Sequence, residues 1–403
     1  MPETTAVQLE CLVNAPPAEA FRAFTHATAL RDWLSVAAHS APGKKGYYFL
    51  QWGDQTTVQG VYSRYEPGKS LEFSWQALGD SDPDRVEITF QPVEEGTRVL
   101  LTHHVCGTGA GVDLIRNAWG RSLENLQSFL ETGIDLRLAR RPRIGILIDE
   151  MNAEVAARLG TPVKEGVRIG GTMEGSGAQR AGIQKDDVMI RLDGHPTPDF
   201  NALAPIVQKH QVGDRVMAVL YRGADLVEVE LEFSKNPLPE YPASGVELAQ
   251  VARTTYAGVL QGLRDLTVDL TDPQASFKPA PQEWSVKEIV AHFILCERDY
   301  QSWTADMLND TPINDYLQYR PNVNERINAL LQRFGTLPAL LDELGLAYNE
   351  SAEMLAALPE GFTRWRKHLY RRVAEWALII TPGHFNDEHS GQIQRAIQAA
   401  LAE

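Results

Sequence analysis

Two joints divide this chain, and the hydrophobic pattern differs on either side of them. The first, "RLARRPR" at 137–143, is basic, contains a proline and follows a helical pattern that ends near Gly133. The second, "SKNPLPEYPASG" at 234–245, has three prolines in twelve residues and reads as a stiff, extended connector. Before the first joint apolar residues mostly alternate, as strands require; from Val246 onward they recur only at helical spacing. One core does not serve both patterns, and 403 residues exceed what a single core usually organises. The chain is therefore expected to be a multidomain α+β protein, with domains at 1–136, 143–234 and 245–403.

Composition narrows what these domains do. Basic residues are outnumbered 53 to 38 and the net charge is −15, which argues against a nucleic-acid partner, since phosphates are held by a basic surface. Cys11, Cys106 and Cys296 are odd in number and far apart, so neither a disulfide framework nor a cysteine-based zinc site is expected, and a reducing compartment is. No charged leader followed by an apolar run opens the sequence, and no stretch reaches the roughly eighteen apolar residues of a membrane span. The expected location is the cytoplasm.

In the first segment "VQLECLV" places Val7, Leu9, Cys11 and Val13 on one face of a strand. A helix is expected over "PPAEAFRAFTHATALRDWL", then five consecutive strands, "GYYFLQW", "TTVQGVYSRYE", "SLEFSWQAL", "RVEITFQPV" and "TRVLLTHHV", which imply an antiparallel meander. The closing helix, "GVDLIRNAWGRSLENLQSFLETG", carries Ile115, Trp119, Leu123, Leu126 and Leu130 along one stripe for the sheet to wrap. This order resembles the helix-grip α/β sandwich of the SRPBCC or START-like superfamily, of the type of the activator of heat-shock-protein-90 ATPase homologue. The resemblance implies a cavity between sheet and helix for a hydrophobic small molecule. Trp33, Trp52, Trp75 and Trp119 are the candidates to line it, although aromatic stripes at such spacing are more often plain core. Of His103 and His104, adjacent on a strand, only one can face inward.

The middle segment contains "GSGAQRAGIQKDDVMIRLDG". Here Ala178 and Ala181 suit a short helix packed closely on a sheet, Gly182 suits a left-handed helix stop, and Asp187 and Val188 lead into a strand. With Gly175, Ile190, Gly194 and the later "VGDRVMAVLYRG", the pattern resembles a PDZ domain of the bacterial protease-associated kind, a small β-barrel with helices. That resemblance implies a hydrophobic-glycine-hydrophobic loop whose backbone N–H groups receive a peptide or protein C-terminus. Ile144, Gly145 and Ile146 fit the loop, with Arg143 beside it, and a helix near 200–210 would form the opposite wall. Pro205 inside that helix costs a hydrogen bond unless it lies in the first turn.

The last segment reads as four helices. The second opens with a capping box, Ser285 to Glu288, the third is interrupted near 335–338, and the fourth contains Pro382 and Gly383. "EWSVKEIVAHF" and the later "HFNDEHSGQI" together resemble the DinB-like all-α four-helix bundle. Its members place one histidine on the second helix and an H-x-x-x-H pair on the fourth around a divalent metal, and some are thiol-dependent transferases. His292 and His389 match that pattern; the remaining histidine, His384, is five rather than four residues before His389. Residues four apart lie about 40° apart around an α-helix and residues five apart about 140°, so a regular helix would turn His384 outward with Glu388. A π-bulge near Pro382 and Gly383 would bring it back. Imidazoles suit Zn, Ni or Fe as the ion. In the alternative, His389 is a buried imidazole bonded to Asp299 or Glu297. His368, in "RWRKHLYRR", reads as part of a solvated basic face.

No segment presents a complete catalytic set, which favours a binding or adaptor protein. Two other readings stay open: a metal-dependent thiol transferase or hydrolase using His292, His384 and His389, and a chaperone ATPase co-regulator acting through the first domain.

Overall fold

Strand β1 (Thr4–Val13) turns Val7 and Val13 into the core and leaves Gln8, Glu10 and Leu12 exposed, the alternation its sequence carries. In the computed structural model, which describes residues 4–80, 82–106, 110–311 and 322–402, β1 joins a seven-stranded antiparallel sheet. The other strands are β2 (Ala37–Ser40), β3 (Tyr47–Gln51), β4 (Thr57–Glu66), β5 (Ser70–Ala77), β6 (Asp84–Val93) and β7 (Gly96–Cys106), in the order β1-β7-β6-β5-β4-β3-β2. The expected meander is β3 to β7. Strand β2 is an addition to it, too short to show alternation and formed by pairing with β3. The helix Ala110–Thr132 packs along the sheet and buries Trp119, Leu123, Leu126, Phe129 and Leu130, giving the helix-grip arrangement.

The helical stretch before β2 is two helices, Pro17–Ala23 and Ala27–Trp33, where one was expected. Thr25 lies at the break: its hydroxyl donates to the Phe21 carbonyl at 3.1 Å and its own carbonyl accepts from Ser40 at 2.7 Å. Such local side-chain bonds offer the backbone an alternative to the helical ladder.

The middle of the chain, Asp135–Pro239, is a compact unit of its own, while Met1–Ile134 and Glu240–Glu403 together form the other. The middle unit holds β8 (Ile146–Asp149), β9 (Val167–Thr172), β10 (Val188–Leu192), β11 (His195–Pro196), β12 (Arg215–Arg222) and β13 (Asp225–Glu232). They make a six-stranded antiparallel sheet in the order β13-β12-β10-β9-β8, with β11 paired to β10. The short helix Gly177–Arg180 buries Ala178 completely, and Gly182 follows it at φ +74°. The helix Phe200–Gln208 stays continuous although Pro205 lies in its interior. Arg143 and Ser234 exchange backbone hydrogen bonds of 3.0 and 2.8 Å, so the unit's two ends lie side by side.

From Gly245 onward the described residues are all helical apart from connecting loops. Gly245–Thr267 is opened by the capping box Ser244 with Glu247, and Val286–Leu308 by the expected box Ser285 with Glu288. The third helix is divided at Gly335, φ +70°, into Val323–Phe334 and Leu337–Ala356. The fourth runs on from Lys367 but changes pitch: Lys367–Glu375 is α, Trp376–Ile380 is π, Thr381–Gly383 is α, His384–His389 is π and Ser390–Ala402 is α.

Within the first unit the Lys367–Glu375 helix packs on Ala110–Thr132. This corrects the reading of His368 as solvated: its ring is buried, with its centroid 4.1 Å from that of Phe129. Arg372 pairs with Asp32 at 2.8 Å, and Lys367 donates to the Glu131 carbonyl. At Gly133, φ +72°, a Cβ would stand 2.5 Å from the Lys367 carbonyl carbon. Charge pattern along one helix does not reveal that a distant part of the chain will cover it.

Candidate metal centre

Pro382 has no N–H to give the carbonyl one turn before it, and the fourth helix takes up irregular pitch on both sides of the proline. The second irregular turn, His384–His389, has the i→i+5 bonding that brings residues five apart back to one face. The ring centroids of His384 and His389 are 4.5 Å apart, and His292, on the facing helix Val286–Leu308, lies 5.1 and 5.3 Å from them. His292 Nε2 is 3.0 Å from His384 Nε2. The structure thus brings the three histidines together, on the irregularity that the five-residue spacing needs. Trp284 and Phe293 flank the group, with ring centroids 4.9 Å from His292 and 5.3 Å from His389 respectively.

Polar neighbours orient two of these rings. Glu388 Oε2 lies 2.7 Å from His384 Nδ1, and Gln392 Oε1 lies 2.7 Å from His389 Nδ1. Both oxygens are acceptors, so each Nδ1 carries the proton and each Nε2 keeps its lone pair, the arrangement that outer partners impose on metal-ligating histidines. Burial, with His384, His389 and Arg326 adding to it, lowers the His292 pKa to about 3, and burial also lowers that of His389. His292 is therefore the neutral imidazole a metal requires. The alternative partners are engaged elsewhere or apart: Asp299 holds Arg326 through bonds of 2.7 and 3.0 Å, and His389 bonds Gln392 instead of Glu297.

Cys296 is far in sequence from the other two cysteines, yet its Sγ lies 3.6 Å from His292 Nε2 and 3.9 Å from His384 Nε2. Burial, helped by Asp299 and Glu297, raises its thiol to about 12. The signal that could have found it is spacing: Cys296 is one turn beyond His292 on the same helix face. Two imidazole nitrogens 3.0 Å apart need a proton or a cation between them, and the nearby sulfur and Nε2 lone pair are donors of the kind Zn, Ni or Fe accepts. The residues present fit such an ion: ligand atoms of His292, Cys296 and His384 lie within 4.8 Å of one another, as do those of His384, Glu388 and His389.

The other candidates lie elsewhere. In the middle unit Gly145 takes φ +81°, Ile144 is buried, and Ile144 and Ile146 share an apolar cluster with Leu203, Ile206 and Val207 of the helix Phe200–Gln208. Strand β8 is at the end of its sheet, with Leu147 and Ile148 exposed. The Arg143 guanidinium donates to Asn236 Oδ1. In the N-terminal sheet, Trp75 and Trp119 line a cavity of about 10 Å³, room for one water. Trp33 is completely buried with Nε1 bonded to the Ala23 carbonyl, and Trp52 packs on Trp75. His103 faces inward, held between Asp84 at 2.9 Å and Trp119 Nε1 at 2.9 Å.

Comparison with known proteins gives each part of the chain a relative. Residues 14–131 match the family described as activator of Hsp90 ATPase homolog 1-like protein, and residues 255–393 match the DinB superfamily. Over 133 residues the chain is 28% identical to a probable periplasmic serine endoprotease DegP-like of Hahella chejuensis, covering 33% of this chain and 28% of that protein. It is 29% identical over 117 residues to the periplasmic serine endoprotease DegP of Salmonella typhimurium, covering 28% and 25%. The chain thus spans under a third of the length of these curated relatives. Among solved structures, protein MLL2253 of Mesorhizobium loti is similar at 20% identity and a TM-score of 0.29, over 31% of this chain and 96% of that one. The chain joins an activator of Hsp90 ATPase homolog 1-like domain and a DinB superfamily domain, with a region of DegP-type protease similarity between them.

Proposed function

We propose that this chain is a multidomain binding protein whose helical domain holds a divalent metal ion through His292, His384 and His389. In the same reading, its middle module grips a peptide or protein C-terminus at Arg143, Ile144, Gly145 and Ile146. The observation that carries the metal reading is the π-helical turn His384–His389, which sets His384 Nε2 3.0 Å from His292 Nε2. When bound, a divalent ion there supplies a positive centre that fixes the two long helices to each other and attracts anionic donors. The peptide reading is supported by the exposed apolar edge strand β8 beside a glycine of positive φ, and by the DegP-type similarity. A cytosolic, reducing setting agrees with Cys11, Cys106 and Cys296, which are free thiols. No helix among the described residues is long and apolar enough to cross a membrane.

The test is the metal content of the purified full chain beside that of His384→Ala and His389→Ala. About one equivalent of Zn, Ni or Fe in the parent and a loss of most of it in both variants is expected, because each removes a ligand from a preformed set. Less than about a tenth of an equivalent in the parent, even after dialysis against Zn²⁺, would sink the metal reading.

A further inference from the structure

We propose that Cys296 is itself a ligand of this ion, as a thiolate, so that the site is a closed set of one sulfur and three imidazoles. The inference rests on the metal reading above and adds the donor that decides what the ion does. A zinc-sized ion binds sulfur at about 2.3 Å and imidazole at about 2.0–2.1 Å, so a tetrahedral set places two nitrogens about 3.3 Å apart and a sulfur about 3.6 Å from each nitrogen. His292 Nε2 and His384 Nε2 are 3.0 Å apart, and Cys296 Sγ is 3.6 and 3.9 Å from them. Three edges of the tetrahedron are therefore present within a few tenths of an ångström. His389, whose ring centroid lies 4.5 Å from that of His384 and 5.3 Å from that of His292, is the imidazole placed to supply the fourth donor.

The helix supplies the reason these atoms meet. His292 and Cys296 are one turn apart on Val286–Leu308, and the π-turn delivers His384 and His389 from the opposite side. On binding, the sulfur–metal bond forms, the S–H bond breaks and the proton leaves to solvent. One thiolate leaves a charge of +1 on a divalent ion and favours Zn²⁺ or Co²⁺ over Mg²⁺ or Mn²⁺. Four protein donors also leave no open position for a substrate, the mark of an ion that holds structure.

The full chain, stripped with chelator and titrated with Co²⁺, tests this. Tetrahedral cobalt gives visible ligand-field bands, and a thiolate ligand adds a near-ultraviolet charge-transfer band. The parent is expected to show both, Cys11→Ser and Cys106→Ser likewise, and Cys296→Ser to lose the charge-transfer band. Visible bands with no charge-transfer band in the parent would overturn the cysteine ligand and leave the histidine site standing. No cobalt bands in the parent would overturn both. Should Cys296→Ser fail to fold, alkylation of the parent by iodoacetamide, read by mass spectrometry of the Cys296 peptide, decides: Zn²⁺ is expected to slow it at least about tenfold, and an unchanged rate overturns the proposal.

Discussion

Glu297 stands one position beyond Cys296 yet takes its place on a different side of the helix, beside Tyr256 and Ser351. It is buried, Oε1 has no hydrogen-bond partner among the described residues, and burial raises its pKa to about 7. The folded chain keeps a proton there that the unfolded chain gives up near pH 4.3, so this group costs nothing below that pH, its cost grows as pH rises from there to about 7, and it levels off above. Glu297→Gln cannot ionise and is expected to be more stable than the parent by about 2–3 kcal/mol at pH 8, with most of that difference gone at pH 5. Urea unfolding at the two pH values, followed by tryptophan fluorescence, checks it; an equal gain at both would show that packing rather than charge is responsible. Residue types were a partial guide at this scale. His292 and His389 are legible because the surrounding words "VAHF" and "HSGQI" carry them, whereas Cys296 and Glu297 are significant only through neighbours on other helices.

At the scale of elements, periodicity did most of what it can do. The meander, the long closing helix, the capped second helix and the glycine break in the third all follow from local pattern. What did not follow was pitch: whether "HFNDEH" winds as α or π depends on Pro382 and on what packs across from it, and neither appears in a hydrophobic spacing. The split at Thr25 was hidden for a similar reason, since Ser40, fifteen residues on, helps hold it. Edge strand β8 allows a direct test of the peptide reading. Ile146→Asp puts a carboxylate into the apolar cluster beside the place proposed for a peptide's own carboxylate, and is expected to weaken binding of a fluorescent peptide with a free C-terminus at least tenfold, about 1.4 kcal/mol or more. Anisotropy titration reads this, with the far-ultraviolet circular dichroism of the variant unchanged; equal affinity would remove the loop from the site.

The whole molecule was the least legible scale, because the covering of His368 by Phe129 joins residues that no local pattern relates. Gly133 makes that docking testable. Alanine there meets both a left-handed backbone and the Lys367 carbonyl carbon, and Gly133→Ala is expected to cost the first unit about 2 kcal/mol or more. All eight tryptophans lie outside Asp135–Pro239, so fluorescence-detected urea unfolding reports this unit alone; an unchanged midpoint would mean the two backbones do not approach as described. The division of the chain also bears on how it is made. At about 5–20 residues per second, the roughly 235 residues between Glu131 and Lys367, the middle unit among them, take a ribosome about 12–47 seconds. For that interval the nascent first part stands with Phe129, Asp32 and the Glu131 carbonyl uncovered, awaiting partners not yet synthesised.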